Sequence, residues 1–303
     1  RVRATGGASG DLRGLHSTRE GVHSDPSVGT FLSLQWRATS RLTVNQSTRL
    51  DYDRVYGVEP TPQLYLAYDL GPVTLRAGGG RTVRAPNYVE RFINTRTNKG
   101  NDSLDAETAW SGEVGVDVGL PAGLSLSVTG FGRTTEHSID YVQKPDSLVS
   151  QPPNPFRARN LDQTTTTGLE TEMGLTRTVG PVGVNLTAGY TLLDAEIDAA
   201  VSPRNYKYAL TNARHLVQGS ASVSVGAVTL GMQGLWKDRL KGDGLATDRY
   251  GVVHTRLAYN TRLAEARTSI SAELRNAFDR QYSEIFDAPL PGRTLLLGAS
   301  IQL

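Results

Sequence analysis

Arg84, Tyr88, Glu90 and Arg91 crowd into one short stretch, RAPNYVER, at the head of a long polar segment that runs to Ala106. Two guanidiniums, a phenol and a carboxylate at this spacing suit contact with an anionic ligand, because charge-assisted hydrogen bonds are strong and directional. The same groups also suit salt bridges that fix a loop. A second possible chemistry is metal binding: His16 and His23 flank Glu20 and lie close to Asp25. Metal ligands must converge in space, however, and spacing along a polar segment does not secure that. A solvated loop accounts for these residues, and no metal site is assigned. The sequence contains no Gly-x-Ser-x-Gly, no Walker loop and no His-Glu-x-x-His. It has no cysteine, which removes thiol catalysis, disulfides and thiolate metal sites. Gly78, Gly79 and Gly80 lie inside a strand-like stretch, so they read as a bend or a close backbone approach rather than a phosphate loop. No enzyme and no cofactor is expected.

The elements that must carry these residues are strands. Side chains alternate in polarity, and a strand has a period of two. In one stretch Val114, Val116, Val118 and Leu120 oppose Glu113, Gly115, Asp117 and Gly119. In another, Val182, Val184, Leu186 and Ala188 oppose Asn185, Thr187 and Gly189. The end of the chain repeats the pattern, with Leu295, Leu297, Ala299, Ile301 and Leu303 on one side and Thr294, Leu296, Gly298, Ser300 and Gln302 on the other. Thr164 to Thr167 read as β-propensity at a strand start. Short turns fall at Thr39-Ser40-Arg41, Gly71-Pro72, Pro121-Ala122-Gly123, Gly180-Pro181, Gly226-Ala227 and Leu263-Ala264-Glu265. Between them come long polar connections: Gly6 to Gly29, Asp53 to Pro62, Arg84 to Ala106, His137 to Asp162, Asp194 to Asn212, Arg239 to Arg249 and Asn276 to Gly292. Strict alternation of short and long connections describes an antiparallel up-and-down meander of about 14 strands with one plain rim and one elaborated rim.

Composition narrows the environment. The 303 residues carry a net charge of +2, which implies no nucleic-acid partner. The mean hydropathy of -0.33 alone suggests a soluble protein. It is equally compatible with a transmembrane barrel, in which only alternate residues meet lipid. No apolar run reaches the roughly 18 residues of a membrane helix. A soluble β-sandwich is the competing fold, but its strands are usually about five or six residues long. The polar faces here carry Glu113, Asp117, Glu170, Glu172, Arg76 and Arg133, which suits a hydrated lumen. Val114, Val116, Val118, Leu186, Leu230, Leu295, Leu297 and Ile301 are then expected to face lipid. Trp36, Tyr52, Tyr68, Trp110, Tyr190, Trp236 and Tyr259, near strand ends, fit interfacial girdles.

Several stretches, in order, resemble the β-barrel of TonB-dependent outer-membrane receptors. Thr48-Arg49-Leu50-Asp51-Tyr52, followed by Pro62-Gln63-Leu64, resembles the family's strand ending in an Arg-Tyr-Asp-like run and the next strand's start. Arg81 to Phe92 resembles its Phe-Arg-Ala-Pro-Ser-x-x-Glu-Leu stretch, and Asn101 to Thr108 its Asn-Pro-x-Leu-Lys-Pro-Glu-Thr. Gly168-Leu169-Glu170 and Arg214-His215 match two further strand starts. NAFDRQY from Asn276, then Pro291-Gly292-Arg293-Thr294 and a terminal strand, resembles the closing hairpin. The departures are Leu303, where an aromatic is usual, and a loose fit of Phe286 and Pro289 to a Gly-Tyr-Pro region.

The resemblance implies residence in the bacterial outer membrane and energised uptake of a scarce nutrient such as a ferric siderophore, cobalamin or glycan. It implies outer-membrane lipid, the small nutrient ligand, an N-terminal plug domain and, through that plug, the TonB energy-coupling protein as partners. The family's barrel has about 22 strands and a plugged lumen. Residues 1–303 therefore read as one barrel domain, the C-terminal part of such a barrel, with plug and first strands absent. The alternatives are a passive pore of about 14 strands without a plug, and a structural or adhesive surface barrel.

Overall fold

The computed structural model describes residues 1–143, 155–198, 212–240, 247–263, 266–285 and 288–302. Leu303, Phe286, the Ala264-Glu265 turn and the middles of three expected connections (those from His137, Asp194 and Arg239) lie outside the described residues.

The chain is almost entirely strand. In order the elements are β1 (Val2–Ser17), β2 (Gly21–Arg37), β3 (Leu42–Asp53), β4 (Gly57–Asp69), β5 (Val73–Arg84), the short helix α1 (Tyr88–Phe92), β6 (Asn98–Lys99), β7 (Glu107–Leu120), β8 (Leu124–Val142) and β9 (Phe156–Val179). There follow β10 (Val182–Asp198), β11 (Ala213–Val225), β12 (Val228–Arg239), β13 (Arg249–Leu263), β14 (Ala266–Arg275), β15 (Ser283–Ile285), β16 (Ala288–Pro289) and β17 (Thr294–Gln302). A 15-stranded sheet takes them in chain order, with β6 off the path and β15-β16 forming a separate pair. With β6 set aside, fourteen strands form the expected meander. By contacts the chain divides into two compact units, the first drawn mainly from Arg1–Gly115 and Gly130–Gly168, the second from Val116–Thr129, Leu169–Leu193 and Asn212–Leu303.

In the first unit, β1 to β5 pair in sequence as antiparallel neighbours. Two of the connections expected to be long are largely strand. Gly6 to Gly29 is a ladder that runs out to Ser17↔Gly21, and Asp53 to Pro62 is a three-residue turn followed by β4. The polar Gly, Ser and Thr residues there gain ladder hydrogen bonds on both strands, which outweighs their weak β-propensity. Pro60 and Pro62 fit because β4 pairs with β5 only from Gln63 onward, so they occupy a local edge where a missing N–H is tolerated. Thr164 to Thr167 fall within β9, not at its start, for the same reason of strand extension. The short turns stand where the sequence places them. Asp69 accepts the Gly71 N–H at 2.8 Å, and Gly71 takes a φ of +89°, a conformation that favours glycine. At Gly78 a Cβ would strike the ring of Tyr65, its partner on β4, and at Gly79 it would come 2.7 Å from the Ser111 carbonyl oxygen. The close approach anticipated at the glycine triplet therefore comes from neighbouring strands of the same unit.

In the second unit the register aligns one apolar row across the sheet: Val184, Val223, Leu230, Leu257, Ala272 and Leu297. Leu230, Leu257 and Leu297 are exposed at 48%, 52% and 79%, which is the pattern of a face that meets lipid rather than a protein core. Three positions along each strand, and so on the opposite face, a polar row runs through Thr187, Ser220, Gln233 and His254. Asn276, buried and at φ +48°, organises the closing connection. Its side chain donates to the Arg280 and Pro291 carbonyls and accepts the Arg280 N–H.

Candidate functional site

Antiparallel order brings the ends of β1, β3 and β5 and the starts of β2, β4 and β7 to one rim of the first unit, and the four singled-out residues meet there around α1. The helix forms because Asn87 and Glu90 make a capping box: Asn87 Oδ1 accepts the Glu90 N–H at 2.9 Å, and the Glu90 carboxylate accepts the Asn87 N–H at 2.8 Å. Pro86, just before the cap, keeps the preceding residue extended.

Arg84 ties the end of β5 to this helix and to the start of β7. Its Nη1 donates to Glu90 at 3.0 Å and its Nε to Glu107 at 2.6 Å. Glu107 in turn accepts the Ile139 N–H from β8 at 2.6 Å. Arg91 donates to Asp25 on β2 at 2.6 Å and lies 4.6 Å from the Phe92 ring centroid. Tyr88 donates to the Arg13 carbonyl at 3.0 Å, and Arg13 pairs with the buried Asp53. Desolvation, reinforced by the nearby Asp25, pushes the Tyr88 phenol above its ordinary value. In the adjacent turn, burial and Asp53 push the Tyr56 phenol up as well. His23 stacks on Phe92 with ring centroids 3.5 Å apart, and its Nε2 lies 2.7 Å from the Glu20 carbonyl oxygen. It is thus a packing group, and among the described residues no three metal-ligating side chains converge.

Behind α1 lies a small core of Leu104, Tyr141 and Ala158, flanked by Ile93, Ile139 and Phe156. The Tyr141 hydroxyl donates to the Val89 carbonyl at 3.0 Å and so anchors the helix to β8. All four sequence-selected residues are therefore brought together, and each makes a hydrogen bond or ion pair to a partner within the unit. This geometry is that of the loop-fixing salt bridges. Of the partners that complete it, Phe92 and Glu107 fall in the family-like stretches, whereas Arg13, Asp25 and Asp53 carry no local motif and lie up to 75 residues away. Only the alternation of strands, which brings their ends to one rim, could have suggested them.

An up-and-down meander of this size can be compared directly with known proteins. The family model "TonB dependent receptor-like, beta-barrel" matches residues 3–277. The chain belongs to this family. It is accordingly an antiparallel transmembrane β-barrel chain of the bacterial outer membrane, in a family of transport receptors rather than enzymes. The iron-regulated outer membrane virulence protein of Vibrio cholerae (strain O395) is 26% identical over 178 residues, covering 55% of this chain and 27% of that protein. Among solved structures, the siderophore receptor PirA from Pseudomonas aeruginosa superimposes with a TM-score of 0.73 at 16% identity, over 99% of this chain and 53% of that one. The copper transporter OprC gives 0.72 at 18% identity, over 91% and 49%. The chain thus spans about a quarter of the length of the curated relative, and about half of each TonB-dependent barrel structure that it matches.

Proposed function

We propose that residues 1–303 act as one barrel domain in a TonB-coupled uptake receptor, supplying wall and outer rim. The cargo in this reading is a scarce nutrient, with a ferric siderophore first among the candidates. The observation that carries the reading is the rim itself: parts of β1, β2, β5, β7 and β8 are locked to α1 and to one another by Arg84, Arg91, Tyr88 and Glu107, as a ligand-catching surface requires if it is to be preorganised. Family membership supports the coupling, and the iron-regulated relative supports iron as cargo. A plug, driven by the TonB protein, would gate passage. Arg84, the most exposed of the four singled-out residues, would then touch ligand directly, while Tyr88, Glu90 and Arg91 shape the surface around it.

The test is uptake by cells in which the coding stretch for this chain is disrupted. Radio-iron-loaded catecholate and hydroxamate siderophores and labelled cobalamin are supplied with and without a proton-motive-force uncoupler. Loss of the uncoupler-sensitive uptake of one cargo is expected, and unchanged uptake of all three overturns the reading.

A further inference from the structure

One cleft of the first unit, with a volume of about 460 Å³, carries charge that is unbalanced among the described residues. It lies between the segment after α1 and the beginning of β9, and Lys99, Arg157 and Arg159 line it. In the parallel pairing of β6 with β9, Lys99 stands directly opposite Arg157. Like charges in directly opposed positions destabilise a sheet. Arg159 follows on the same face, two residues along the strand.

Four other arginines on this rim are neutralised: Arg13 by Asp53, Arg81 by Glu59, Arg84 by Glu90 and Glu107, Arg91 by Asp25. The cleft is different. Among the described residues Lys99 donates to Asn94 Oδ1 but to no carboxylate. Neither Arg157 nor Arg159 has a side-chain partner among them, and Asp102 is the one carboxylate that lines the cleft.

The backbone that carries these cations is held in place. Ala158, between the two arginines, is 1% exposed in the core with Leu104 and Tyr141. Asn160 locks the same strand by donating to the Asp105 and His137 carbonyls at 3.0 and 2.7 Å and accepting the Asp105 N–H at 2.9 Å. The Phe156 N–H donates to the Thr97 carbonyl at 2.9 Å, which joins the two walls. At Gly100 a Cβ would lie 2.5 Å from the Arg91 carbonyl oxygen, so the floor is closed backbone on backbone. Three cations carried around one cleft by firmly held backbone favour an anion, and the guanidinium fork suits paired oxygens.

We propose that this cleft binds a small oxyanion bearing at least two anionic groups, with Lys99, Arg157 and Arg159 as the neutralising side chains. The assignment rests on the uptake reading only in taking the rim as the ligand-facing side. Carboxylate, phosphate or catecholate oxygens of a dissolved ligand, or the phosphate of a neighbouring lipid, present the same chemistry.

The test uses the full chain, folded in zwitterionic detergent micelles and titrated calorimetrically with inorganic pyrophosphate at low ionic strength. Saturable binding is expected, weakened about tenfold or more by Arg157→Gln with Arg159→Gln, since hydrogen bonds between charged groups are the strong ones. Lys99→Gln, on a separate segment, is expected to weaken it as well. Arg157→Lys with Arg159→Lys should retain most of it, and Arg262→Gln on β13 should leave it unchanged. Competition by phosphatidylglycerol added to the micelles assigns the cleft to a lipid headgroup; its absence assigns a dissolved anion. No saturable binding of either, or equal binding by the wild type and the doubly neutralised chain, overturns the proposal. Binding in a chain whose disruption leaves nutrient uptake intact sinks the uptake reading alone.

Discussion

Arg91 and Asp25, 66 residues apart in sequence, meet at 2.6 Å with side chains only 15% and 8% exposed. The pair joins α1 to the outer part of the β1–β2 hairpin. Among the described residues Asp25 forms an ion pair with no other side chain. Removal of the guanidinium leaves a carboxylate that is neither solvated nor paired, and this costs more than the net worth of the pair. Arg91→Ala is expected to lower the local opening free energy of β2 around Asp25 by about 3 kcal/mol, read by hydrogen exchange of the backbone amides there. Asp25→Asn in the same background should restore part of the protection, because the orphaned charge is gone. Protection unchanged in Arg91→Ala, or a further loss on adding Asp25→Asn, sinks this account.

The Tyr88 phenol sits above its ordinary value because burial and Asp25 disfavour the phenolate. The sign follows: the folded rim binds the proton more tightly than the unfolded chain does. The stability that this group contributes is whole below about pH 10, the unfolded tyrosine value, and is lost as pH rises through the higher folded value. The difference in ultraviolet phenolate absorbance between wild type and Tyr88→Phe isolates this one group. It is expected to titrate later than a free tyrosine. A midpoint at or below the free value contradicts the packing of Tyr88 against Asp25 and the Arg13 carbonyl.

The sequence made the strands legible because alternation is a local signal: each residue reports its face through its neighbours two positions away. The short turns were legible for the same reason, since Gly71, Gly180 and Gly226 are needed where φ is positive. The reach of the strands was not. The polar run from Gly6 to Gly29 has the composition of a loop, and only pairing with its own returning strand makes it a ladder. The RAPNYVER stretch marked the rim, yet the identity of its partners depends on contacts such as Arg84–Glu107 and Arg91–Asp25 that spacing does not encode. Lys99 and Arg157 are likewise invisible to any motif, because a two-residue parallel pairing decides their meeting.

The apolar row of Val184, Val223, Leu230, Leu257, Ala272 and Leu297 separates a lipid face from a hydrated one by a single residue of register. Met232 lies near the middle of β12, two residues from Leu230 on the same face and opposite Ala221, so an arginine there has no protein cover and must meet hydrocarbon. Met232→Arg is expected to destabilise the chain folded into phosphatidylcholine vesicles by about 2–4 kcal/mol, the cost of a cation near the bilayer midplane. Ser220, on the polar row with Thr187 and Gln233, points the opposite way. Ser220→Arg places the same charge among hydrogen-bonding groups, where its long side chain can stay hydrated, and should cost well under half as much. Urea titration of the two variants in vesicles compares them directly. Equal costs mean that both faces share one environment, and the division of each strand into a lipid side and a water side fails with them.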